Sequence, residues 1–225
     1  MLNHSNSLKN VKGKSDCEVE FNTVKIGDQE WMTDNLCVDT YRNGDPIPYA
    51  QTEEEADEYG LRKEGCYCFY FEKNYKSSDK EYNWYAVNDP RGLAPEGYRV
   101  SSNNDWTQLF DTLGGLDEVE TITNSLCYSY GFNLRCLEQS HIDHGWFDSF
   151  WASDNLDDGE DENEASQVWI WNDKIGYLPN TDLTTVGKDM MRLVRCIRDV
   201  ETIDDFFQGK SEKDIVPENS FDDFM

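Results

Sequence analysis

An α+β fold of short antiparallel strands and few helices is what this sequence predicts, and four stretches carry the prediction. Val24-Lys25-Ile26, a Gly27-Asp28 turn and Glu30-Trp31-Met32 read as a hairpin of alternating residues. Ser102-x-x-Asp105 has nearly the form of a capping box, in which the hydroxyl takes a free amide and the carboxylate reaches back. Trp106, Leu109, Phe110 and Leu113 follow at helical spacing, and Gly114-Gly115 supplies the stop. Gly65 to Phe71 and Val168-Trp169-Ile170-Trp171 read as strands rich in aromatic residues.

The remaining elements follow in order. Trp31 and Leu36 are expected in the core, Asn43-Gly44-Asp45-Pro46 as a turn, and Thr52-Glu53-Glu54-Glu55 as the start of a short, exposed, acidic helix. Trp84 and Tyr85 sit on a short apolar segment. Asn88-Asp89-Pro90 and Ala94-Pro95-Glu96-Gly97 are turn chemistry, because proline fixes φ and glycine admits positive φ. Residues 117–126 have the pattern of a further short helix. Nothing between Tyr82 and Trp106 pairs a nucleophile with a base or cradles a phosphate, so that stretch argues for fold and not for chemistry.

Length and charge bound the function. The 225 residues, 37% of them apolar, fit one domain over 21–199 with an extension at 1–20 and an acidic tail at 200–225. No run approaches the length of a membrane span. With 46 acidic against 20 basic residues the net charge is −26, which argues against binding nucleic acid through its phosphates. The same charge is compatible with cation binding, with a basic partner, or with solubility alone. Residues 1–20 are polar and locally basic and lack the apolar region of a secretory signal.

Seven cysteines (17, 37, 66, 68, 127, 136 and 196) leave one over if all are paired. There is no CxxC, and Cys66-Tyr67-Cys68 is too close for an ordinary zinc pair. His141 and His144 bracket Asp143 at a spacing that one helix turn would bring together, without a third ligand nearby.

Tyr82 to Val100 (YNWYAVNDPRGLAPEGYRV), the earlier Val24 to Pro48 and the late Arg192 to Asp199 (RLVRCIRD) resemble, in order and spacing, the Fibrobacter succinogenes major paralogous domain, over roughly residues 21–199. That family is similar to C-type-lectin-like folds and to the formylglycine-generating sulfatase-modifying group. The resemblance implies a C-type-lectin-like domain with two main helices and small twisted antiparallel sheets, and it brings no established activity. It places Cys66 or Cys68, and Cys196, where members often carry cysteine, which implies a disulfide in an oxidising space; buried thiols filling small core gaps is the alternative. Tyr128 to Leu134 resembles a strand that the family begins with Gly-Phe. The family's glycine-rich continuation is replaced here by Arg135-Cys136-Leu137-Glu138-Gln139-Ser140. Relatives are commonly exported, so exposure on a bacterial surface or a virion is the expectation.

The acidic run from Asp154 to Glu164, entering the tryptophan strand, is the constellation with most chemical content. Calcium takes about six to eight oxygens, and Asp154, Asp158, Glu160 and Glu162, with Asn172 and Asp173, are the candidate ligands. The run is not an EF-hand loop: counting from Asp154, the third position is Leu156 and the twelfth is Ala165. Trp171-Asn172-Asp173 looks like the tripeptide that C-type lectins set beside their calcium and sugar, although the companion acid-Pro-Asn triplet is absent from the preceding loop. Trp151, Trp169 and Trp171, with Asn172 and Asp173, are the candidate ligand-binding residues, and packing is the alternative for the tryptophans. No cofactor is required on this reading, calcium being the one considered.

The tail ends Phe221-Asp222-Asp223-Phe224-Met225, and Phe221, Phe224 and Met225 have the aromatic-in-acid character that docks into basic, apolar grooves; a frayed terminus has the same composition. Three histidines and one late cysteine, Cys196, offer little for nucleophilic or oxidase chemistry. The expectation is a non-catalytic binding or display domain for a protein or glycan. A self-assembling structural subunit is the second reading, and a cysteine-dependent oxidase akin to the formylglycine-generating enzymes is the third.

Overall fold

The Gly27-Asp28 turn, with Gly27 at φ 61°, folds β1 (Thr23–Ile26) back on β2 (Gln29–Met32), pairing Ile26 with Gln29. A two-residue hairpin loop needs positive φ, which glycine adopts without steric cost. The structure, a computed structural model, describes residues 21–69, 79–115, 118–134, 147–154, 162–171, 175–176 and 185–199. Far along the chain, β10 (Cys196–Arg198) joins the same sheet, Ile197 pairing with Trp31 on one side and with Arg99 of β5 (Tyr98–Val100) on the other. The sheet order is β1-β2-β10-β5, so the last strand of the domain pairs with the second strand of its opening hairpin.

Helices are few, and two of them start at the caps that the sequence predicts. Thr52 accepts the Glu55 N–H at the start of α1 (Glu53–Leu61), whose three first-turn glutamates suit the positive end of the helix dipole. Only Ala56 and Gly60 of α1 are buried, so it lies on the surface as expected. After the hairpin β3 (Tyr67–Phe69) and β4 (Lys80–Tyr82), the short helix α2 (Trp84–Val87) starts at Asn83, which is fully buried. The Asn83 Oδ1 accepts the N–H of both Cys66 and Ala86, and its amide donates to the Glu64 carbonyl. Ser102 and Asp105 form the full capping box of α3 (Asn103–Thr112), and the Asp105 carboxylate also takes a two-pronged bond from Arg99.

Two expectations are corrected here. Within Gly65 to Phe71 the strand is Tyr67–Phe69, residues 70 and 71 lying outside the described ones. Tyr128 to Leu134 is not a strand: α4 (Val119–Asn124) runs into a π-helical turn at Ser125–Ser129, and the chain then continues irregularly. The Tyr130 N–H bonds the Ser125 carbonyl and the Phe132 N–H bonds that of Leu126, so this backbone is satisfied locally while Phe132 and Leu134 drop into the core.

The second sheet has β7 (Glu164–Trp171) at its centre. It pairs with β6 (Phe147–Trp151), with β8 (Ile175–Gly176) and, nearer its start, with β9 (Thr185–Gly187). Between the sheets and α3 lies the main core, where Trp31 and Trp106 meet with ring centroids 4.9 Å apart and Phe110, Phe132, Phe150, Val168, Ile170 and Leu193 close around them. A second cluster holds Leu36, Tyr82, Trp84, Trp151, Val194 and Cys196. Burial of each large aromatic contributes roughly 2–3 kcal/mol, so these rings supply much of the driving force.

Residues 192–198 act as the spine. Arg192 bridges Tyr82, Leu193 bridges Phe150, Arg195 is fully buried, and β10 then completes the first sheet. The fold is therefore mixed α and β, with few helices and small antiparallel sheets. Among the described residues no helix is long and apolar enough to cross a membrane.

Candidate functional site

Strand alternation divides the β6–β7 pair into two faces. Phe150, Val168 and Ile170 point into the core. The register sets Trp151 across from Gln167 and Ser149 across from Trp169, so the opposite face carries Ser149, Trp151, Gln167 and Trp169. The Leu193–Phe150 bridge lays the spine against the other edge of β6, and this brings Arg192 onto that face.

Hydrogen bonds confirm the grouping. Arg192 Nε donates to Gln167 Oε1 at 2.7 Å, Ser149 Oγ donates to the same oxygen at 3.0 Å, and Arg192 Nη1 donates to the Met191 carbonyl at 2.7 Å. Trp169 and Arg192 are half-buried, each with part of its surface in solvent. Gly176, which has no side chain, stands across from Trp169 in β8. Burial pulls the Arg192 guanidinium below its ordinary value and the charge of Glu81 opposes that pull, yet among the described residues no carboxylate reaches salt-bridge distance of it. It remains a cation at neutral pH, as a guanidinium does in any protein.

Of the predicted ligand-binding residues, Trp169 and Trp151 share this face, but Trp151 lies at the end that the second core cluster covers. Trp151 is fully buried, its indole N–H donates to the Tyr82 carbonyl at 2.7 Å, and its ring packs edge-on against Trp84 at 5.4 Å. An indole so enclosed is core and has no face to offer a ligand. Trp171 pairs with Phe147 at the end of β7, and Asn172 and Asp173 lie outside the described residues.

The proposed calcium ligands separate in the same way. Asp154 is turned inward, where Oδ2 accepts the Asn103 N–H at the first turn of α3, a favourable place for a carboxylate. Glu162 is exposed, and its backbone carbonyl receives the Lys188 ammonium at 2.6 Å. Asp158 and Glu160 lie outside the described residues. Among the described residues no group of three or more His, Cys, Asp or Glu side chains could hold a metal. Phe221, Phe224 and Met225 of the tail also lie outside them, as do His141, His144 and Cys136.

The disulfide implied for Cys66 or Cys68 with Cys196 is corrected. All three are buried thiols without a disulfide, Cys66 and Cys68 in a small cluster with Ala50 and Ala56, and Cys196 in the separate cluster around Trp84 and Trp151. Burial pushes the thiols of Cys66 and Cys196 up to about 12 and raises that of Cys68 as well. These cysteines fill core space, the alternative the sequence left open.

Sequence reasoning missed Ser149, Gln167 and Arg192 as partners of Trp169. One signal was present: Gln167-Val168-Trp169-Ile170 alternates polar or amphipathic with aliphatic residues, which places Gln167 beside Trp169 on the face away from the core. Arg192 carries no such signal, since its place depends on the spine reaching β6.

No curated protein and no solved structure matches the chain. The model of the Fibrobacter succinogenes major domain matches residues 24–198, from the first strand to the last, and the chain belongs to that family.

Proposed function

We propose that this chain is a non-catalytic recognition domain, of C-type-lectin-like architecture, that takes a glycan or protein ligand on the face formed by Ser149, Gln167, Trp169 and Arg192. The observation that carries the reading is the half-buried indole of Trp169 beside a hydrogen-bonded amide, hydroxyl and guanidinium on a rigid sheet. An amphipathic aromatic platform with a few fixed polar groups is how recognition surfaces bind without a large entropic cost. The architecture is supported by the pairing of the last strand with the opening hairpin, which closes the domain and leaves a second sheet to present a surface.

Nucleophilic chemistry is disfavoured at the described cysteines. A reactive cysteine needs its thiolate, and burial holds Cys66 and Cys196 protonated. Glycan and peptide arrays probed with the whole chain and with Trp169→Ala test the reading. Binding that disappears in the variant supports it. Blank arrays together with closed multimers in light scattering replace it with that of a structural assembly subunit.

A further inference from the structure

Among the described residues no carboxylate comes within salt-bridge distance of the cation on the recognition face, although the charge of Glu81 acts on it from farther away. Arg192 spends Nε on Gln167 and Nη1 on Met191, while among the described residues Nη2 has no acceptor. This is notable in a chain of net charge −26, where nearly every other arginine on these elements has an acidic partner: Arg42, Arg62, Arg91, Arg99 and Arg198 all pair with Asp or Glu. A guanidinium presents a planar fork that matches a carboxylate, and part of this fork is left over.

What lies around Arg192 narrows the ligand further. Trp169 supplies an indole two residues from Gln167 on the same strand face, and Ser149 supplies a hydroxyl between them. The strands beneath offer no backbone to a peptide: β7 is paired with β6, β8 and β9, and β6 is closed on its other side by the bridge to Leu193. An extended peptide would gain none of the main-chain bonds that strand addition depends on. A sugar ring needs none, since its C–H face stacks on an indole and its hydroxyls use amide and hydroxyl side chains.

Resting on the recognition reading above, we propose that the ligand is an acidic glycan whose carboxylate-bearing sugar stacks on Trp169 and gives its carboxylate to Arg192. Gln167, held by two hydrogen bonds, fixes the guanidinium and is a positioning residue. Because the protein is strongly acidic, attraction is local to Arg192 and long-range steering opposes it.

Calorimetric titration of the full chain with oligosaccharides of galacturonate, glucuronate and sialate, each compared with its methyl ester, tests this. The expected result is binding of at least one acid, weakened about tenfold or more in its ester and weakened likewise by Arg192→Met. Arg192→Lys, which keeps the charge and loses the fork, should recover only part of the affinity. The ester comparison needs no substitution, so the proposal remains testable if Arg192→Met does not fold. Equal binding of acid and ester, lost in Trp169→Ala, overturns the carboxylate and leaves the recognition face standing. Binding of a peptide carboxylate in place of every acidic sugar overturns the glycan. No binding by any of the three acids overturns the proposal outright, whereas the recognition reading falls only if the wider arrays are blank as well.

Discussion

Asn35 and Arg195 stand 160 positions apart in the chain, and inside the protein the Asn35 Oδ1 accepts a guanidinium N–H of Arg195 at 2.6 Å. The same guanidinium donates to the carbonyls of Met32, Thr33 and Asn133 and lies over the Phe132 ring at 4.2 Å. Burial draws its pKa down to about 10, which leaves it charged at neutral pH. A fully buried cation held by carbonyls is a tie between segments, here the β2 end, the chain beyond the π-helical turn and the spine. Removing it leaves several buried acceptors without a donor.

Arg195→Met is therefore expected to destabilise the domain by about 3–5 kcal/mol, read as a lower urea midpoint. Arg195→Lys should rescue little, since one ammonium cannot serve four acceptors spread over two segments as the planar fork does. Asn35→Ala should cost less, about 1–2 kcal/mol, because the backbone acceptors still engage the guanidinium.

The inward turn of Asp154 separates a structural from an ion-binding role. If its carboxylate caps α3 through Asn103, Asp154→Ala lowers stability by about 1 kcal/mol whether or not millimolar calcium is present. Parallel thermal melts of the wild type and the variant, with calcium and with chelator, check this. A calcium-dependent rise in Tm that vanishes in the variant would return Asp154 to the ligand set.

Acid sensitivity follows from Asp105. Burial alone would raise its pKa, but bonds from Arg99 and Ser102 outweigh burial and hold it below the ordinary value of 3.8. A carboxyl group lowered by folding contributes stability that is present above its unfolded pKa and is lost as pH falls through the folded value. Stability should thus decline below about pH 4, and Asp105→Asn should be less stable at neutral pH and flatter across that range. With Arg99 partly in solvent, the loss at pH 7 is about 1–2 kcal/mol. Urea titrations between pH 3 and pH 7, about the span over which an aspartate ionises, give the slope directly.

Local signals made the scaffold legible. The hairpin at Gly27-Asp28, the caps at Thr52 and Ser102 and the apolar stripe of α3 each depend on neighbours within a few residues, and sequence spacing reports such relations faithfully. The functional face depends on long-range register. Nothing local tells that Trp151 lies under Trp84 while Trp169, on the same face of the partner strand, keeps part of its surface in solvent, because both read as tryptophans in strands. The cysteines make the same point, since Cys66 and Cys196 are separated into different clusters by packing that no spacing encodes.

That separation has a chemical readout. Cys37 is exposed, whereas Cys66, Cys68 and Cys196 are buried and their thiols stay protonated well above neutral pH. Brief alkylation with iodoacetamide at pH 8, mapped by mass spectrometry, should label Cys37 and spare those three until denaturant is added. Protection that persists in denaturant and is relieved by a reductant would instead mean that a disulfide joins them.

Two tryptophans across the second sheet should respond oppositely to the same change. Trp151→Ala removes a fully enclosed ring and leaves the Tyr82 carbonyl with only the Arg192 N–H, so it should cost about 3–5 kcal/mol or prevent folding. Trp169→Ala, on the half-buried face beside Gln167, should cost a fraction of that while abolishing ligand capture. Trp151→Phe keeps most of the ring and loses only the N–H donor, so the folded variant should bind as the wild type does. Melts and array binding on the three variants decide the matter: a Trp169→Ala protein as unstable as Trp151→Ala would make both tryptophans scaffold, and the recognition face would have to lie elsewhere.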